Sequence, residues 1–468
     1  MRQGFGLRQV SILLFLLVLA GVPRPLAGWI ELQRASAFLE GGNSSRAGAA
    51  LALAAARIPG RNDLWGRAGQ AALQAGELEH ALVRFGEGEK HAALSASDWL
   101  AYGDTYLAVG DTDSAASAWE ASIQSKPSAA AYFRLAKVRR DQGDFSGAIE
   151  FLQEAAAISP DEAESHYQLG LLLLATDPAK SMPELLKAAN LDPTHDEIIQ
   201  FIRVQLNLAS LVDDPAYQFT VAGRALASIG DWDLATESFR RAVESNLEYG
   251  DAWAWLGEAF QQTGRDGRPY LDMALALAPR SASVQAMDGL YWLRNGQAEK
   301  ALAAYQKAAD LEPDNANWQI ALGDAAAAAN QLVEATSYYH RAVELAPQDP
   351  AAWRALALFS LNYDTDIQNT GLFAARQLLK LAPNDWLTFD IAGQVATLLL
   401  AQGEAEAHFL RSIELAPQQP APHFHLALAY LEFGQNALAY DKLVDTINLD
   451  LNGSYRWQAE RLLEKYFP

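Results

Sequence analysis

The segment WAWLGEAFQQTG, from Trp253 to Gly264, contains the features that decide the fold. Its large residues fall three or four positions apart, a spacing that places them on one face of a helix. Gly264 follows the last of them, and a glycine after an apolar helical pattern indicates a helix end because glycine adopts left-handed backbone angles without strain. The segment therefore predicts a short helix that stops in a tight turn.

A second segment, AEKALAAYQKAADLEP from Ala298 to Pro313, lies in the next unit of the pattern and predicts the second helix that pairs with a first helix of this kind. Small residues alternate with larger ones along its apolar face, and small residues opposite large ones allow two helices to pack closely. Pro313 closes the segment, because proline lacks the backbone donor that a continuing helix needs. Together the two segments predict a helical hairpin.

The same two signals recur along the chain at intervals near 34 residues, and a fixed period of this length is the sequence pattern of a helical repeat protein. Asn330 substitutes for glycine in one copy, as asparagine often does at a positive-φ position. The residues that end the first helix of each unit are Gly42, Gly76, Gly110, Gly143, Gly230, Gly264, Gly296, Asn330 and, less regularly, Gly403 and Gly434. The prolines that close units are Pro59, Pro127, Pro160, Pro193, Pro279, Pro313, Pro347, Pro383 and Pro417.

These motifs resemble the tetratricopeptide family: a large residue, Leu before Gly or Ala, an aromatic, a helix-breaking Gly, then Ala, aromatic, Ala and Pro. The resemblance covers about nine-tenths of the chain. It implies an all-α fold, a right-handed superhelical solenoid of tetratricopeptide helix-turn-helix repeats. It also implies that the first helix of each hairpin lines a concave groove.

The chain divides into five predicted segments. We expect residues 1–27 to be a signal peptide or membrane anchor, 28–195 an N-terminal array, 216–452 a C-terminal array and 453–468 a capping helix, which an open-ended stack requires. Residues 196–215 are predicted to be an unpaired helix and a phase break. A degenerate repeat whose second helix is hidden is the alternative for that stretch.

The N-terminus departs from the repeat. Arg2 and Arg8 precede an apolar stretch from Val10 to Val22, and a basic start before a short apolar core is typical of a secretory signal. Cleavage after Ala27 is one outcome, although Pro25 fits the cleavage pattern poorly. An uncleaved membrane anchor and an ordinary apolar start are the alternatives. A working signal would place the rest of the chain outside the cytoplasm, secreted or periplasmic in a bacterium.

The net charge, the lack of cysteine and the lack of catalytic motifs exclude several classes of function. The net charge of −21 repels phosphate backbones and argues against a nucleic-acid partner. The chain has no cysteine, so disulfides, thiolate metal sites and a thiol nucleophile are excluded. No phosphate-binding loop, dinucleotide motif or serine nucleophile elbow is present. We expect neither an enzyme nor a cofactor.

The residues that suggest metal or sugar binding have simpler interpretations. His423 and His425 are two apart on a helix and so point in different directions. Asp364, Asp366 and Asn369 lack the spacing of a calcium loop and are expected to form a polar turn. Trp65, Trp99, Trp253 and Trp353 share one position in their units, which favours the repeat core over an aromatic binding platform.

The resemblance places the groove at fixed positions of the first helices. The candidate peptide-binding residues are Leu100, Asp104, Phe133, Lys137, Arg140, Tyr167, Leu171, Ile320 and Asp324. An apolar groove with isolated charges suits a peptide segment. The basic cluster that includes Lys137 and Arg140 either seats an acidic segment or is an ordinary solvated face.

We therefore expect a non-catalytic scaffold that holds protein or peptide partners, in envelope or polysaccharide assembly by family analogy. A membrane tether would run through the N-terminus, and the oligomeric state stays open. One rival is a repeat arm that assists a glycosyltransferase or other enzyme in trans. The other is a self-associating structural rod.

Overall fold

The computed structural model describes residues 23–451 and 453–467, and within them it contains 26 α-helices and no strand. The predicted all-α fold class is confirmed. The helices are α1 (Pro23–Glu40), α2 (Ser44–Arg57), α3 (Asp63–Gln74), α4 (Leu78–Lys90), α5 (Ala96–Ala108), α6 (Thr112–Ser125), α7 (Ala129–Asp141), α8 (Phe145–Ile158), α9 (Ala163–Thr176), α10 (Pro178–Leu191), α11 (Asp196–Ala209), α12 (Pro215–Ser228), α13 (Trp232–Ser245), α14 (Gly250–Gln262), α15 (Arg268–Leu277), α16 (Ala282–Arg294), α17 (Ala298–Leu311), α18 (Ala316–Ala328), α19 (Leu332–Leu345), α20 (Pro350–Tyr363), α21 (Leu372–Leu381), α22 (Trp386–Leu398), α23 (Gln402–Leu415), α24 (Pro420–Glu432), α25 (Asn436–Leu449) and α26 (Ser454–Tyr466).

The predicted signal or anchor falls mostly on residues 1–22, which lie outside the described residues. Residues 23–27 begin α1, which packs against α2 as the first hairpin. None of the described helices is long and apolar enough to cross a bilayer.

The helices pack as consecutive antiparallel pairs, and a glycine-to-aromatic contact holds many of the pairs together. A Cβ added to Gly289 of α16 would lie 2.7 Å from the ring of Tyr305 in α17. The glycine lets the two backbones approach until the ring fills the space between them. The same contact, sixteen residues apart in each case, joins Gly69 to Phe85, Gly103 to Trp119, Gly223 to Phe239, Gly323 to Tyr339 and Gly393 to Phe409.

The turn after the first helix requires a left-handed residue. Asn330 takes this position with φ of 60°, as predicted, and glycine takes it in most other units. The expectation for Gly403 was wrong. Leu400 adopts the left-handed angles instead, with φ of 57°, and Gly403 lies in the first turn of α23.

The large residue near the start of the first helix ties that helix to the preceding turn. Trp253 Nε1 donates to the carbonyl of Leu247 at 2.9 Å, and Trp353 Nε1 donates to Pro347 at the same distance. Gln285 makes the equivalent bond to the carbonyl of Pro279. Each acceptor lies six residues earlier, so a side chain with an N–H satisfies a carbonyl that the turn between the two repeats leaves without a helical partner.

The chain forms two compact units that divide between Ala242 and Val243. In the first unit the fully buried side chains include Phe85, Trp119, Leu135 and Leu185, spread along the stack with no single centre. In the second unit Leu378 and Phe409 are fully buried in the same way. A core distributed between neighbouring hairpins is what a one-dimensional array requires.

Residues 196–209 form one helix, α11, between the hairpin α9–α10 and the hairpin that starts with α12. The helix α12 packs directly on α9, as the first helices of adjacent repeats do, and α11 lies between α10 and α12 in the chain. Ile199 and Ile202 anchor α11 and are fully buried. The helix α11 contacts both α10 and α12, and the division of the chain predicted around it, with its unpaired helix, stays a prediction.

The irregular stretch after α20 is a polar turn. Asp364 and Asp366 have left-handed backbone angles, and a π-helical turn follows at Ile367–Gly371. The carboxylate of Asp366 accepts hydrogen bonds from Asn369 at 2.8 Å and Thr370 at 2.9 Å. Those two donors lower the pKa of Asp366 and use its oxygens to hold the turn.

Candidate peptide-binding surfaces

In the first unit, a cavity of about 390 Å³ lies between α7 and α9. The predicted residues Phe133, Lys137 and Arg140 line it from α7. Across from them, α9 contributes Glu164, Gln168 and Leu172, which the sequence interpretation did not select. The structure therefore brings three of the nine predicted residues into one concave site.

The two cations of this cavity differ in their partners. Lys137 is exposed and forms no ion pair with any described residue. Arg140 donates to Gln168 Oε1 at 2.8 Å and to Asp231 Oδ2 at 2.6 Å, which ties α7 to α9 and to the start of α13. Lys137 is thus available to a ligand, whereas Arg140 already holds neighbouring repeats together.

Leu100 and Asp104 lie on α5, next to this cavity in the stack. Arg134 binds both carboxylate oxygens of Asp104, at 2.5 and 2.9 Å, and Trp119 Nε1 donates to the same carboxylate at 3.1 Å. Leu100 is half-buried and packs on the cluster around Trp119. Because Asp104 is fully engaged, its role is to join α5 to α7, as bidentate arginine–carboxylate pairs do.

On α9, Tyr167 and Leu171 differ from expectation. The ring of Tyr167 is half-buried and stacks on His195 with centroids 4.1 Å apart. Burial raises the pKa of the Tyr167 hydroxyl, with added repulsion from Glu164 and Asp231. Leu171 is only 3% exposed, so it belongs to the core and not to the groove surface.

In the second unit, Ile320 and Asp324 line a cavity of about 390 Å³ together with residues of α20. Tyr339 donates to Asp324 at 2.5 Å. Asp324 is exposed at the surface of the cavity. The atoms packed around its carboxyl nevertheless displace water and raise its pKa above the ordinary value of 3.8, and the hydrogen bond from Tyr339 partly opposes this rise. Burial also raises the pKa of the Tyr339 hydroxyl, and the neighbouring Asp324 raises it further.

A larger cavity, of about 540 Å³, lies farther along the second unit. Leu361, Leu398, Leu428 and Leu462 contribute apolar walls. His425 also lines it, with Nδ1 2.9 Å from both oxygens of the buried Asp390. The prediction that His423 and His425 point apart is confirmed, because His423 Nδ1 lies 3.5 Å from Asp445 whereas His425 contacts Asp390. His423 is 7% exposed, and burial lowers the pKa of its imidazole.

The tryptophans predicted to lie in the repeat core pack there to different degrees. Trp353 is 8% exposed, and Trp65, Trp99 and Trp253 are partly buried against the clusters of their own units. Across residues 23–451 and 453–467, no three His, Asp or Glu side chains are grouped so as to hold a metal ion.

Comparison of the sequence with protein-family models agrees with this arrangement of repeated helical hairpins. Models of the tetratricopeptide repeat match residues 100–163, 220–282 and 293–359. The chain is a tetratricopeptide repeat protein. Proteins of this family are generally non-catalytic scaffolds that bind protein partners.

Among curated relatives, this tetratricopeptide protein is 26% identical over 240 residues to tetratricopeptide repeat protein 37 of Xenopus laevis, which covers 46% of the chain and 15% of the relative. It is 25% identical over 179 residues to anaphase-promoting complex subunit 3 of Schizosaccharomyces pombe, covering 37% of the chain and 25% of the relative. The chain thus spans a quarter or less of the length of these relatives.

Solved structures similar to this repeat protein include yeast Tom70, with a TM-score of 0.44 and 15% identity over 86% of this chain and 95% of that one. The Cut9–Hcn1 hetero-tetramer of the anaphase-promoting complex gives a TM-score of 0.41 at 15% identity, covering 93% of this chain and 95% of the matched chain.

Proposed function

We propose that this protein is a non-catalytic scaffold that holds segments of partner proteins against the first helices of its repeats. The observation that carries the proposal is the cavity between α7 and α9, where Phe133 offers an apolar surface beside the unpaired Lys137. An apolar side chain and one acidic residue of a partner would match that pair. The fixed Arg140–Asp231 pair keeps the repeats that form the site in place.

A photo-crosslinking amino acid at position 133 tests this proposal in the native envelope fraction. We expect captured protein to cross-link from position 133 and the yield to fall when Lys137→Glu is added. The matched control carries the cross-linker at Val83, which is 65% exposed and outside the described cavities. Equal capture from positions 83 and 133, or a yield that Lys137→Glu leaves unchanged, would count against this groove.

We further propose that the chain acts outside the cytoplasm, secreted, periplasmic or tethered at its N-terminus, in envelope or polysaccharide assembly. The basic and apolar start of the sequence supports the location, and the assembly role rests on analogy. N-terminal sequencing of the protein from its host tests the location. A mature start at Gly28 indicates a cleaved signal, and an intact Met1 in the membrane fraction indicates an anchor.

Self-association is a second candidate function, and one surface favours it. Phe201, Val204 and Leu208 are 43%, 52% and 58% exposed along one face of α11. Their spacing of three and four residues is that of a coiled-coil seam. Light scattering across concentration should show a mass increase that Val204→Glu abolishes; a constant monomer mass would remove this candidate.

A further inference from the structure

The 540 Å³ cavity of the second unit is lined by residues of five helices, and α23 contributes Phe409. The inner faces of α20, α22 and α24 form its floor and sides, and α26 closes one end with Leu462 and Tyr466. Its volume lies in the range of pockets that enclose a small ligand or one or two large side chains. The apolar lining consists chiefly of Leu361, Leu398, Leu400, Leu428, Leu431 and Leu462.

The charges around this cavity are all of one sign. Glu432 lies at the cavity, is exposed, and forms no hydrogen bond or ion pair with a described residue. Asp390 lies behind His425 and is 1% exposed. No lysine or arginine lines the cavity. An apolar site with an unpaired carboxylate at its edge is complementary to a cation.

The adjoining cavity extends this acidic character. The two cavities share Asn362, and the second one carries Asp324. Its single arginine, Arg354, is already bound to Asp385 at 2.6 Å. A ligand that runs from one cavity to the other therefore meets the unpaired carboxylate of Glu432 and the hydrogen-bonded carboxylate of Asp324, and the single arginine that lines the two cavities is already paired.

His425 provides an oriented acceptor inside the cavity. A carboxylate can only accept hydrogen bonds, so the contact with Asp390 places the proton of the neutral imidazole on Nδ1. Gln394 donates to Asp390 at 2.9 Å and fixes the carboxylate in turn. The other ring nitrogen, Nε2, has no polar partner among the described residues and can accept an N–H from a ligand.

We propose that this cavity binds a basic amphipathic peptide segment, with an aliphatic side chain between the leucines and a lysine or arginine toward Glu432. The backbone or side-chain N–H of the segment donates to His425 Nε2. This inference rests on the proposed scaffold function and names the partner of a second site. It also assigns the two units opposite preferences, acidic at Lys137 in the first and basic at Glu432 in the second.

Three labelled peptides of about 18 residues test the proposal with the full chain, by fluorescence anisotropy at roughly 0.15 M salt. One combines leucine and lysine at helical spacing, the second replaces lysine with glutamate, and the third replaces leucine with serine. We expect the leucine–lysine peptide to bind at least about tenfold more tightly than either counterpart, because only it satisfies both the apolar wall and the carboxylate.

Variants of the protein distinguish binding of the peptide at this cavity from a general attraction of the acidic protein for a cationic peptide. Glu432→Lys and Leu428→Ser should each weaken the leucine–lysine peptide by about five- to tenfold. Glu299→Lys makes the same charge change at an exposed, unpaired residue of α17 outside the cavity, and Val333→Ser is the apolar control at 82% exposure. All four sites are partly or fully exposed, so helicity and melting temperature should match the parent.

The outcomes are distinguishable. The inference would be overturned if Glu432→Lys and Glu299→Lys reduced the affinity for the leucine–lysine peptide equally. It would also be overturned if the glutamate peptide bound as tightly as the leucine–lysine peptide. Cross-linking from position 133 that persists in that case would leave the scaffold function intact. Loss of both the peptide binding and the capture at position 133 would overturn the scaffold function as well.

Discussion

Gly289 lies against the ring of Tyr305, and a methyl group on that glycine would come within 2.7 Å of two ring carbons. Two other units carry alanine and leucine at the same two positions, Ala136 with Leu152 and Ala427 with Leu443, and all four of these residues are buried. The repeat therefore has two ways to fill one space. An aromatic ring at the second position requires glycine at the first, whereas a leucine at the second position leaves room for alanine at the first.

Gly289→Ala should lower the midpoint of urea unfolding in the parent, because overpacking costs about 1–3 kcal/mol. In a Tyr305→Leu background the same change should raise the midpoint, since alanine favours a helix over glycine by about 1 kcal/mol. The double-mutant cycle measures this reversal. An alanine effect of the same sign in both backgrounds would show that the ring does not set the residue at 289.

Gly257→Trp extends the argument to a larger side chain. The added Cβ would lie 3.0 Å from the carbonyl oxygen of Gly267 and from Leu271 Cγ, so an indole should separate α14 from α15 and cost several kcal/mol. Gly403→Trp is the matched control, because nothing lies within 4 Å of a Cβ there. Thermal unfolding of both variants checks the difference, and similar melting of the two would contradict the assigned packing.

The turn residues show how far the sequence predicts this fold. The recurring glycines and prolines predicted the hairpins because each performs a local function that few other residues can perform. Leu400 was missed because a left-handed leucine has no sequence signal, and Gly403, three residues later, appeared to continue the series.

Side-chain sites were harder to predict than hairpins. Asp390 and His425 are 35 residues apart in the sequence, and only the packing of α22 beside α24 brings them to 2.9 Å. The family resemblance predicted that Leu171 of α9 lines the groove. The residues that α9 contributes to the cavity between α7 and α9 include Gln168 and Leu172 instead. The depth to which a neighbouring helix covers a given position depends on tertiary packing, which a single-repeat pattern does not contain.

Leu400→Gly should stabilise the second unit. The left-handed backbone costs a non-glycine residue about 1 kcal/mol or more, and Leu400 is 68% exposed, so little burial is lost in exchange. Asn330→Gly should give a smaller gain, since asparagine tolerates these angles better than leucine. Urea unfolding followed by circular dichroism measures both, and a destabilised Leu400→Gly would mean that the leucine contributes more through packing than it costs in backbone strain.

Asp324 should make the second unit less stable at neutral pH than its asparagine variant. The folded state raises the pKa of this carboxyl, so the folded protein binds the proton more tightly than the unfolded chain. The destabilisation is present above the folded pKa and disappears as the pH falls through that pKa toward the ordinary value of 3.8. Melting temperatures of Asp324→Asn and the parent should differ at pH 7 and converge in acid, and a difference that is constant with pH would contradict this.

Arg140→Glu and Lys137→Glu should have opposite effects on stability and binding. Arg140 bonds to Asp231 and Gln168, so a glutamate there places two carboxylates together. The loss should lie between the roughly 1 kcal/mol of an exposed ion pair and the roughly 3–5 kcal/mol of breaking a buried one. Lys137 is exposed and unpaired among the described residues, so its reversal should leave the melting temperature unchanged while reducing capture from position 133. Thermal unfolding and cross-linking yield on the same two proteins separate the roles. A melting temperature of Lys137→Glu below that of the parent, or one of Arg140→Glu equal to that of the parent, would contradict the structural and ligand-facing roles assigned to these two cations.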